Sequence, residues 1–129
     1  MSVARAPWNS RRRKNLSIEP DLSGANLSEA NLSKADLSEA DLMNTNLDST
    51  NLLRAILFRA DLVRADLCGA DLMWTDLSEA DLSKANLVGA TLTGADLSTA
   101  SLTQEGIEPA SGDENTQLPP DLNPPAHWG

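Results

Sequence analysis

Residues 21–42 read DLSGANLSEANLSKADLSEADL, and a leucine returns at every fifth position of this stretch. The spacing continues without a miss from Leu22 to Leu102, which makes seventeen consecutive leucines. Ala usually stands two positions before each leucine, and Asp or Asn usually stands directly before it. The repeating unit is therefore A-(D/N)-L-x-x, and it covers about residues 20–104.

A period of five suits neither regular element. On an α-helix five residues advance by about 500°, so the leucines would spiral around every side. On a flat strand an odd spacing would send successive leucines to opposite faces. A chain that bends by the same angle every five residues gives each leucine an equivalent inward position, so the period predicts a solenoid of short strand-like sides. The predicted core includes Leu22, Leu42, Leu62, Leu82 and Leu102.

The quoted stretch resembles the pentapeptide-repeat family, and seventeen near-perfect units make the resemblance specific. The resemblance implies an all-β solenoid, namely a right-handed quadrilateral β-helix with four repeat units in each coil and therefore about four coils here. It also places the leucine and the small residue inside. We predict three parts: a basic N-terminal arm and cap (1–19), the β-helix (20–104), and an irregular, Pro-rich acidic C-terminal cap or tail (105–129).

The ends of a solenoid expose apolar side chains and open backbone groups, so we expect both to be covered. Leu16 and Ile18 are the candidates at the N-terminal end. At the other end the sequence leaves open whether the tail caps the last coil or covers apolar residues on the sides. The candidate cap residues there are Ile107, Leu118, Leu122 and Trp128.

The chain is acidic, with 19 Asp and Glu against 10 Lys and Arg in 129 residues and a net charge of −9. We therefore expect repulsion from nucleic acid and anionic membranes. The basic arm is the exception, because residues 1–18 carry five cations and no acid; it includes Arg11, Arg12, Arg13 and Lys14. The arm either seeks an anionic surface, folds back on the acidic solenoid, or keeps the terminus soluble. With no apolar segment of transmembrane or signal-peptide type, a cytoplasmic protein is expected. The tail segments SGDENTQLPPDL and PPAHW resemble those of bacterial pentapeptide-repeat proteins, which implies a bacterial protein.

The sequence offers little for chemistry. It has one His (His127), one Cys (Cys68) and no Tyr, so it does not indicate a Ser/His/Asp or Cys/His nucleophilic set. Glycine-rich phosphate loops and calcium-binding nonapeptides are absent from the sequence. The Asp residues suit corners, where they hydrogen-bond the backbone. We expect a non-enzymatic protein without a cofactor or a metal.

With four units in each coil, some exterior side chains stack in columns. Glu39, Arg59 and Glu79 form an alternating ladder, and Trp74 stands above Lys34 and Arg54 in a position for a cation–π contact. One corner column consists of like charges, which costs stability because neighbours are about 5 Å apart. This acidic column is Asp21, Asp41, Asp61 and Asp81.

Large apolar residues occupy outward positions in the middle coils, where the first coil has mostly Ser and charged residues. They indicate a partner surface. The alternatives are that scattered exposed apolar residues are ordinary or that the tail folds over them. The candidates are Met43, Leu53, Ile56, Phe58, Val63, Met73, Trp74 and Val88.

Three functions remain open. The first is a structural or protein-interaction module that presents a rigid surface to a protein partner or a second copy; no small-molecule substrate is expected. The second comes from the resemblance, since some family members imitate DNA, bind type II topoisomerases such as gyrase and protect them from quinolones. The third is an adaptor whose basic arm reaches a membrane or nucleic acid.

Overall fold

The computed structural model describes residues 20–128. The predictions for Leu16, Ile18 and the basic arm lie outside these residues. Parallel β-bridges join residues that are 20 apart, beginning with Asp21 and Asp41, and the bridges repeat on four successive units. One circuit of the chain therefore comprises four repeat units, one on each of four sides. The strand-like segments are short enough to be isolated bridges rather than named strands.

We number the sides from the bridge positions. The bridges lie at residues 21, 26, 31 and 36 of the first circuit and mark sides 1, 2, 3 and 4, respectively, in every circuit. The two residues after each leucine form a turn, and we call these turns corners 1 to 4 after the side that they follow. Corner 3 thus lies between sides 3 and 4, and corner 4 lies between sides 4 and 1.

Every backbone N–H group of a regular unit has an acceptor, as residues 61–65 illustrate. The Asp61 N–H donates back to the preceding coil, and those of Leu62 and Arg64 donate forward to the next coil, at 2.8–3.0 Å. The Ala65 N–H closes the turn on the Leu62 carbonyl at 2.9 Å. The remaining donor, the Val63 N–H, bonds the Asp61 carboxylate at 3.1 Å. Buried backbone donors require such partners, so the whole unit is satisfied.

This accounting explains the Asp or Asn before each leucine. All fourteen Asp and Asn residues at that position accept from the N–H two residues later. The short side chain reaches a backbone group that no neighbouring coil can reach. The repeat therefore selects Asp or Asn for corner geometry rather than for charge.

The second residue of most corners has a positive φ. Eleven non-glycine residues in the described chain lie between 57° and 63°, and Gly24, Gly69, Gly89 and Gly94 lie between 68° and 73°. A turn with a positive φ at its third residue is the type II pattern, which favours glycine. Non-glycine residues pay a steric cost of about 1 kcal/mol there, and the regular backbone pairing holds them in place.

The leucines form one continuous core. The series from Leu22 to Leu97 is buried, whereas Leu102 is half-buried because the chain leaves the coil after it. Ala or Thr fills the second inward position. The buried hydroxyls of Thr45 and Thr50 donate to the carbonyls of Leu22 and Leu27 at 3.0 and 2.8 Å, so a polar group enters the core without losing its hydrogen bond.

The C-terminal segment lies over the last coil. Helix α1 spans Gln104–Ile107, and its N-cap is Thr103, whose hydroxyl accepts from the Gly106 N–H. The chain then rejoins the stack at Ser111 and Gln117, which form bridges to Thr91 and Asp96. Ile107 is buried in the core cluster, and Leu118, Leu122 and Trp128 pack partly buried against it.

The last aromatic residue is anchored to the segment that it covers. The Trp128 Nε1 donates to the Ala110 carbonyl at 2.9 Å. The His127 Nε2 lies 2.9 Å from the same oxygen, so this nitrogen carries a proton. A Cβ at Gly112 would meet the Trp128 ring at 2.6 Å, which explains the glycine there. These contacts place the end of the tail on the terminal coil and not along the sides.

Candidate partner-binding surface

The eight outward apolar residues do not form one belt in the structure. Corner 1 holds Met43 and Val63, and corner 2 holds Val88, which is 52% exposed. The other five surround side 4 in the middle coils. We call these five the side 4 patch: Leu53 and Met73 with Trp74 on corner 3, Ile56 on the side itself, and Phe58 on corner 4.

The patch combines exposed and half-buried side chains. Trp74 is 46% exposed and Ile56 is 39% exposed, whereas Leu53, Phe58 and Met73 are half-buried. Arg54 and Arg59 occupy the second positions of the two corners and are exposed. Trp, Phe, Met and Arg are the residue types enriched at protein interfaces. The patch therefore has the composition of a binding surface.

Ile56 breaks the hydrogen-bond rule of the repeat. It stands where fourteen other units have Asp or Asn, and its side chain has no acceptor for the Phe58 N–H. Its neighbours above and below in the same column are Asp36 and Asp76. Losing one such hydrogen bond costs about 1 kcal/mol. The unit therefore gives up a hydrogen bond to place an apolar side chain at the centre of side 4.

Trp74 is held by a glycine one coil later. A Cβ at Gly94 would lie 2.3 Å from two carbons of the indole ring, so the ring rests directly on the Gly94 backbone. The expected stacking of Trp74 on Arg54 is replaced by this contact. In the described residues the cation–π contact joins Arg59 to the Phe58 ring instead, at 5.0 Å from the centroid.

The ladder of charges on corner 4 is confirmed. The Arg59 Nε donates to Glu79 at 2.9 Å, and its Nη1 lies 3.7 Å from Glu39. The hydrogen bond with Glu79 is the main cause that raises the pKa of Arg59, with Coulomb attraction next. Because these groups are largely exposed, the ladder contributes little to stability. Its effect is to fix the Arg59 guanidinium beside Phe58.

Two arginines of the middle coils lie on corners other than corner 4. Arg54 on corner 3 and Arg64 on corner 1 are exposed, and neither makes an ion pair within residues 20–128. Arg54 is adjacent to the side 4 patch, whereas Arg64 is a full side away from it. The two residues have the same chemistry in different places and form a matched pair for experiments.

The predicted acidic column stacks along side 1, since Asp21, Asp41, Asp61 and Asp81 are joined by successive bridges. Each carboxylate accepts the N–H two residues on and is therefore turned back toward its own corner. The Ser23 hydroxyl, followed by the Ser23 N–H, lowers the pKa of Asp21. The column is thus both a line of negative charge and a row of turn-forming side chains.

Groups suited to catalysis or metal binding are not gathered anywhere in residues 20–128. No three His, Cys, Asp or Glu side chains there are arranged to hold a metal ion. A cleft of about 460 Å³ opens between the last coil and α1, where exposed Lys84 and Glu105 are its charged lining residues. Within the same part of the chain, no helix has the length and apolarity to cross a membrane.

A family model describing pentapeptide repeats matches residues 19–48, 35–72 and 69–104, with eight copies. The chain belongs to the pentapeptide-repeat family. The sequence resemblance is thereby confirmed. No curated protein matches this pentapeptide-repeat protein.

Two solved structures support the same assignment, each at 34% identity. HetL from the cyanobacterium Nostoc sp. strain PCC 7120 is a pentapeptide-repeat protein involved in the regulation of heterocyst differentiation. It has a TM-score of 0.56, and the match covers 72% of this chain but only 49% of HetL. A pentapeptide-repeat protein from the Arabidopsis thaliana thylakoid lumen has a TM-score of 0.51, with coverage of 71% of this chain and 74% of that one.

QnrB1, a plasmid-mediated fluoroquinolone resistance protein, also matches, at 21% identity and a TM-score of 0.29 over 80% of this chain and 72% of QnrB1. This likeness is too low to support a shared function.

Proposed function

We propose that this pentapeptide-repeat protein is a non-enzymatic interaction module that binds a protein through the side 4 patch. In this proposal residues 20–104 form a right-handed quadrilateral β-helix of about four coils, which acts as a rigid support. Residues 105–129 form its C-terminal cap. Rigid display reduces the entropy lost on binding, because the contact residues are already ordered.

Ile56 is the observation that carries the proposal. A column of Asp residues on side 4 is interrupted by one apolar residue, at the cost of the hydrogen bond to the Phe58 N–H. Stability alone favours Asn or Asp at this position. A surface that keeps an exposed apolar residue against this preference is explained by contact with a partner.

A capture experiment with a matched control tests the proposal. The full-length chain, an Ile56→Asn/Trp74→Ser variant and a Val88→Ser variant are used as baits in native lysate. Val88 is also exposed and apolar but lies on corner 2, away from the patch. We expect specific partners to be lost with the double variant alone. Equal capture by all three baits would overturn the assignment of the patch.

A second candidate function is a DNA-mimicking inhibitor of gyrase, as in the resistance branch of the family. The observation in its favour is the line of carboxylates along side 1. Adjacent bridged rungs are about 4.8 Å apart, compared with one charge per about 1.7 Å of duplex DNA, so the column alone is less dense. In a gyrase supercoiling assay, no inhibition and no quinolone protection at micromolar protein would eliminate this function.

The third candidate, an adaptor that uses the basic arm, depends on residues outside the described structure and rests on sequence alone. Deleting residues 1–14 is its test. Liposome and DNA binding that survive the deletion would contradict it.

A further inference from the structure

We propose that the occupant of the side 4 patch is a second copy of this chain, placed face to face with the first and antiparallel to it. This inference rests on the proposed function and names the partner. The patch is flanked by Arg54, which makes no ion pair within residues 20–128, and by Arg59, which does, so charge complementarity must be judged for each pair of facing residues.

The repeat fixes which residues meet in such a dimer. Residues 20 apart occupy adjacent rungs of one column, about 4.8 Å apart. A two-fold axis that runs across side 4 midway between the rungs of Ile56 and Asp76 therefore places each residue of the Ile56 rung opposite the residue 20 later in the second copy, and each residue of the rung before it opposite the residue 60 later. Arg54 then faces Trp74 of the second copy. Each such contact occurs twice because the interface is symmetric.

The remaining corner pairs of this arrangement are also complementary. Leu53 faces Met73, which joins two apolar residues on corner 3. Arg59 faces Glu79 on corner 4, so each guanidinium lies near a carboxylate of the second copy as well as those of its own chain. The Trp74 indole extends onto the Gly94 rung, so its exposed half lies between Arg54 and Lys34 of the second copy, neither of which has an ion pair within residues 20–128. Arg–Trp contacts are among the favourable cation–π pairs.

Other symmetric arrangements of the same face bring like charges together. A two-fold axis parallel to the stack places Arg54 opposite Arg59. An axis at the level of Ile56 places each of these arginines opposite its own copy. Like charges across an interface are destabilising, so the antiparallel arrangement with the axis between rungs, which keeps the arginines of the two copies apart, is favoured over these two although it pairs Asp36 with Asp96.

Two pairs in the selected arrangement are unfavourable and limit its affinity. Ile56 faces Asp76, whose carboxylate keeps its bonds to the Ser78 N–H and hydroxyl. At the edges Asp36 faces Asp96. The contact area is also small, roughly 10 Å by 20 Å or about 200 Å² on each copy, which is below the size of a stable protein interface. We therefore expect a weak dimer that dissociates at micromolar to submillimolar concentration.

Cross-linking between two different single-cysteine variants tests the register. Ser33 and Thr93 lie on corner 3 and are three rungs apart, or about 14 Å. In the dimer, residue 33 of one copy faces residue 93 of the other. Ser33→Cys and Thr93→Cys are made separately in a Cys68→Ser background and treated with a short bis-maleimide.

We expect the mixture of the two variants to form cross-linked dimer about tenfold faster than either variant alone. In the mixture the two cysteines face each other, whereas in either variant alone the cysteines of the two copies are three rungs apart. Equal yields in the mixture and in the separate variants would overturn the antiparallel register.

Sedimentation velocity over a concentration series tests the dimer itself. Arg54→Glu should weaken dimerisation by about tenfold, since the cation–π contact is lost on both halves. Arg64→Glu makes the same charge change on corner 1 and should leave the dissociation constant unchanged. A dimer that both variants weaken equally contradicts the proposed interface.

A chain that is monomeric at about 1 mM overturns the dimer. If that monomer still loses a captured partner with Ile56→Asn/Trp74→Ser, the proposed function stands with a different partner. If the Ile56→Asn/Trp74→Ser variant retains both the dimer and the captured partner, both proposals are overturned.

Discussion

Replacing Gly94 by Ala probes how the fold holds Trp74 in place. A Cβ at residue 94 would approach two ring carbons to 2.3 Å, a distance at which the ring must move. Gly24→Ala is the matched control, because its φ of 69° is close to the 73° of Gly94 and no atom lies within 4 Å of the added carbon. Both variants place an alanine at a positive φ and therefore have the same backbone strain, but only Gly94→Ala displaces the indole of Trp74.

The expected magnitudes follow from the two contributions. A non-glycine residue at a positive φ costs about 1 kcal/mol. Trp74 is 46% exposed, so about half of its side chain is in contact with the protein. At about 25 cal/mol per Å² over roughly 80 Å², displacing the ring costs up to about 2 kcal/mol more. We therefore expect about 1 kcal/mol for Gly24→Ala and about 3 kcal/mol for Gly94→Ala.

Urea unfolding of the four proteins of a double-mutant cycle measures this difference. In a Trp74→Ala background, Gly94→Ala should cost only the backbone contribution of about 1 kcal/mol. The coupling free energy between the two positions is then about 2 kcal/mol. Equal destabilisation by Gly94→Ala and Gly24→Ala, or a coupling near zero, would refute the view that the glycine is a platform for the ring.

Three further outcomes test the repeat itself. Asp61→Ala should lower the free energy of unfolding by about 1 kcal/mol in urea titrations, because the Val63 N–H loses its acceptor. Asp61→Asn keeps an acceptor and should not lower it. Equal destabilisation by the two variants would show that the negative charge of Asp61, and not its hydrogen bond, stabilises the fold. The Ser98 hydroxyl is the main group that lowers the pKa of Asp96, so this carboxylate stabilises the fold above its unfolded pKa near 4, and that contribution is lost as pH falls through the folded value. Ser98→Ala should raise the pKa of Asp96 in an NMR titration, and an unchanged value would contradict the assignment. Leu62→Lys should abolish the cooperative melt seen by circular dichroism, since it buries a charge, whereas Val63→Lys on the outward side should fold; a parent-like melt for Leu62→Lys would exclude the inward position.

The sequence determined the period, the inward leucines and the corner role of Asp and Asn. These features repeat with every unit, so the seventeen leucines occupy equivalent positions. Comparing the units within this one sequence is therefore enough to identify the inward position. The alternating charges of Glu39, Arg59 and Glu79 were also predictable once four units per coil were assumed. That coil length came from the family resemblance, because a period of five does not state how many units complete a circuit.

Only the tertiary structure decided which outward residues share a surface. The eight apolar candidates are close in sequence, but each unit turns the chain to a new side, so Met43, Val63 and Val88 lie away from the side 4 patch. The missing acceptor at Ile56 becomes visible only when the corresponding N–H groups of the fourteen units with Asp or Asn are each seen to have one. Trp74 likewise rests on Gly94 of the next coil. The five-residue spacing predicts the turn in which each residue lies, whereas the stacking of coils decides which residues of different coils are in contact.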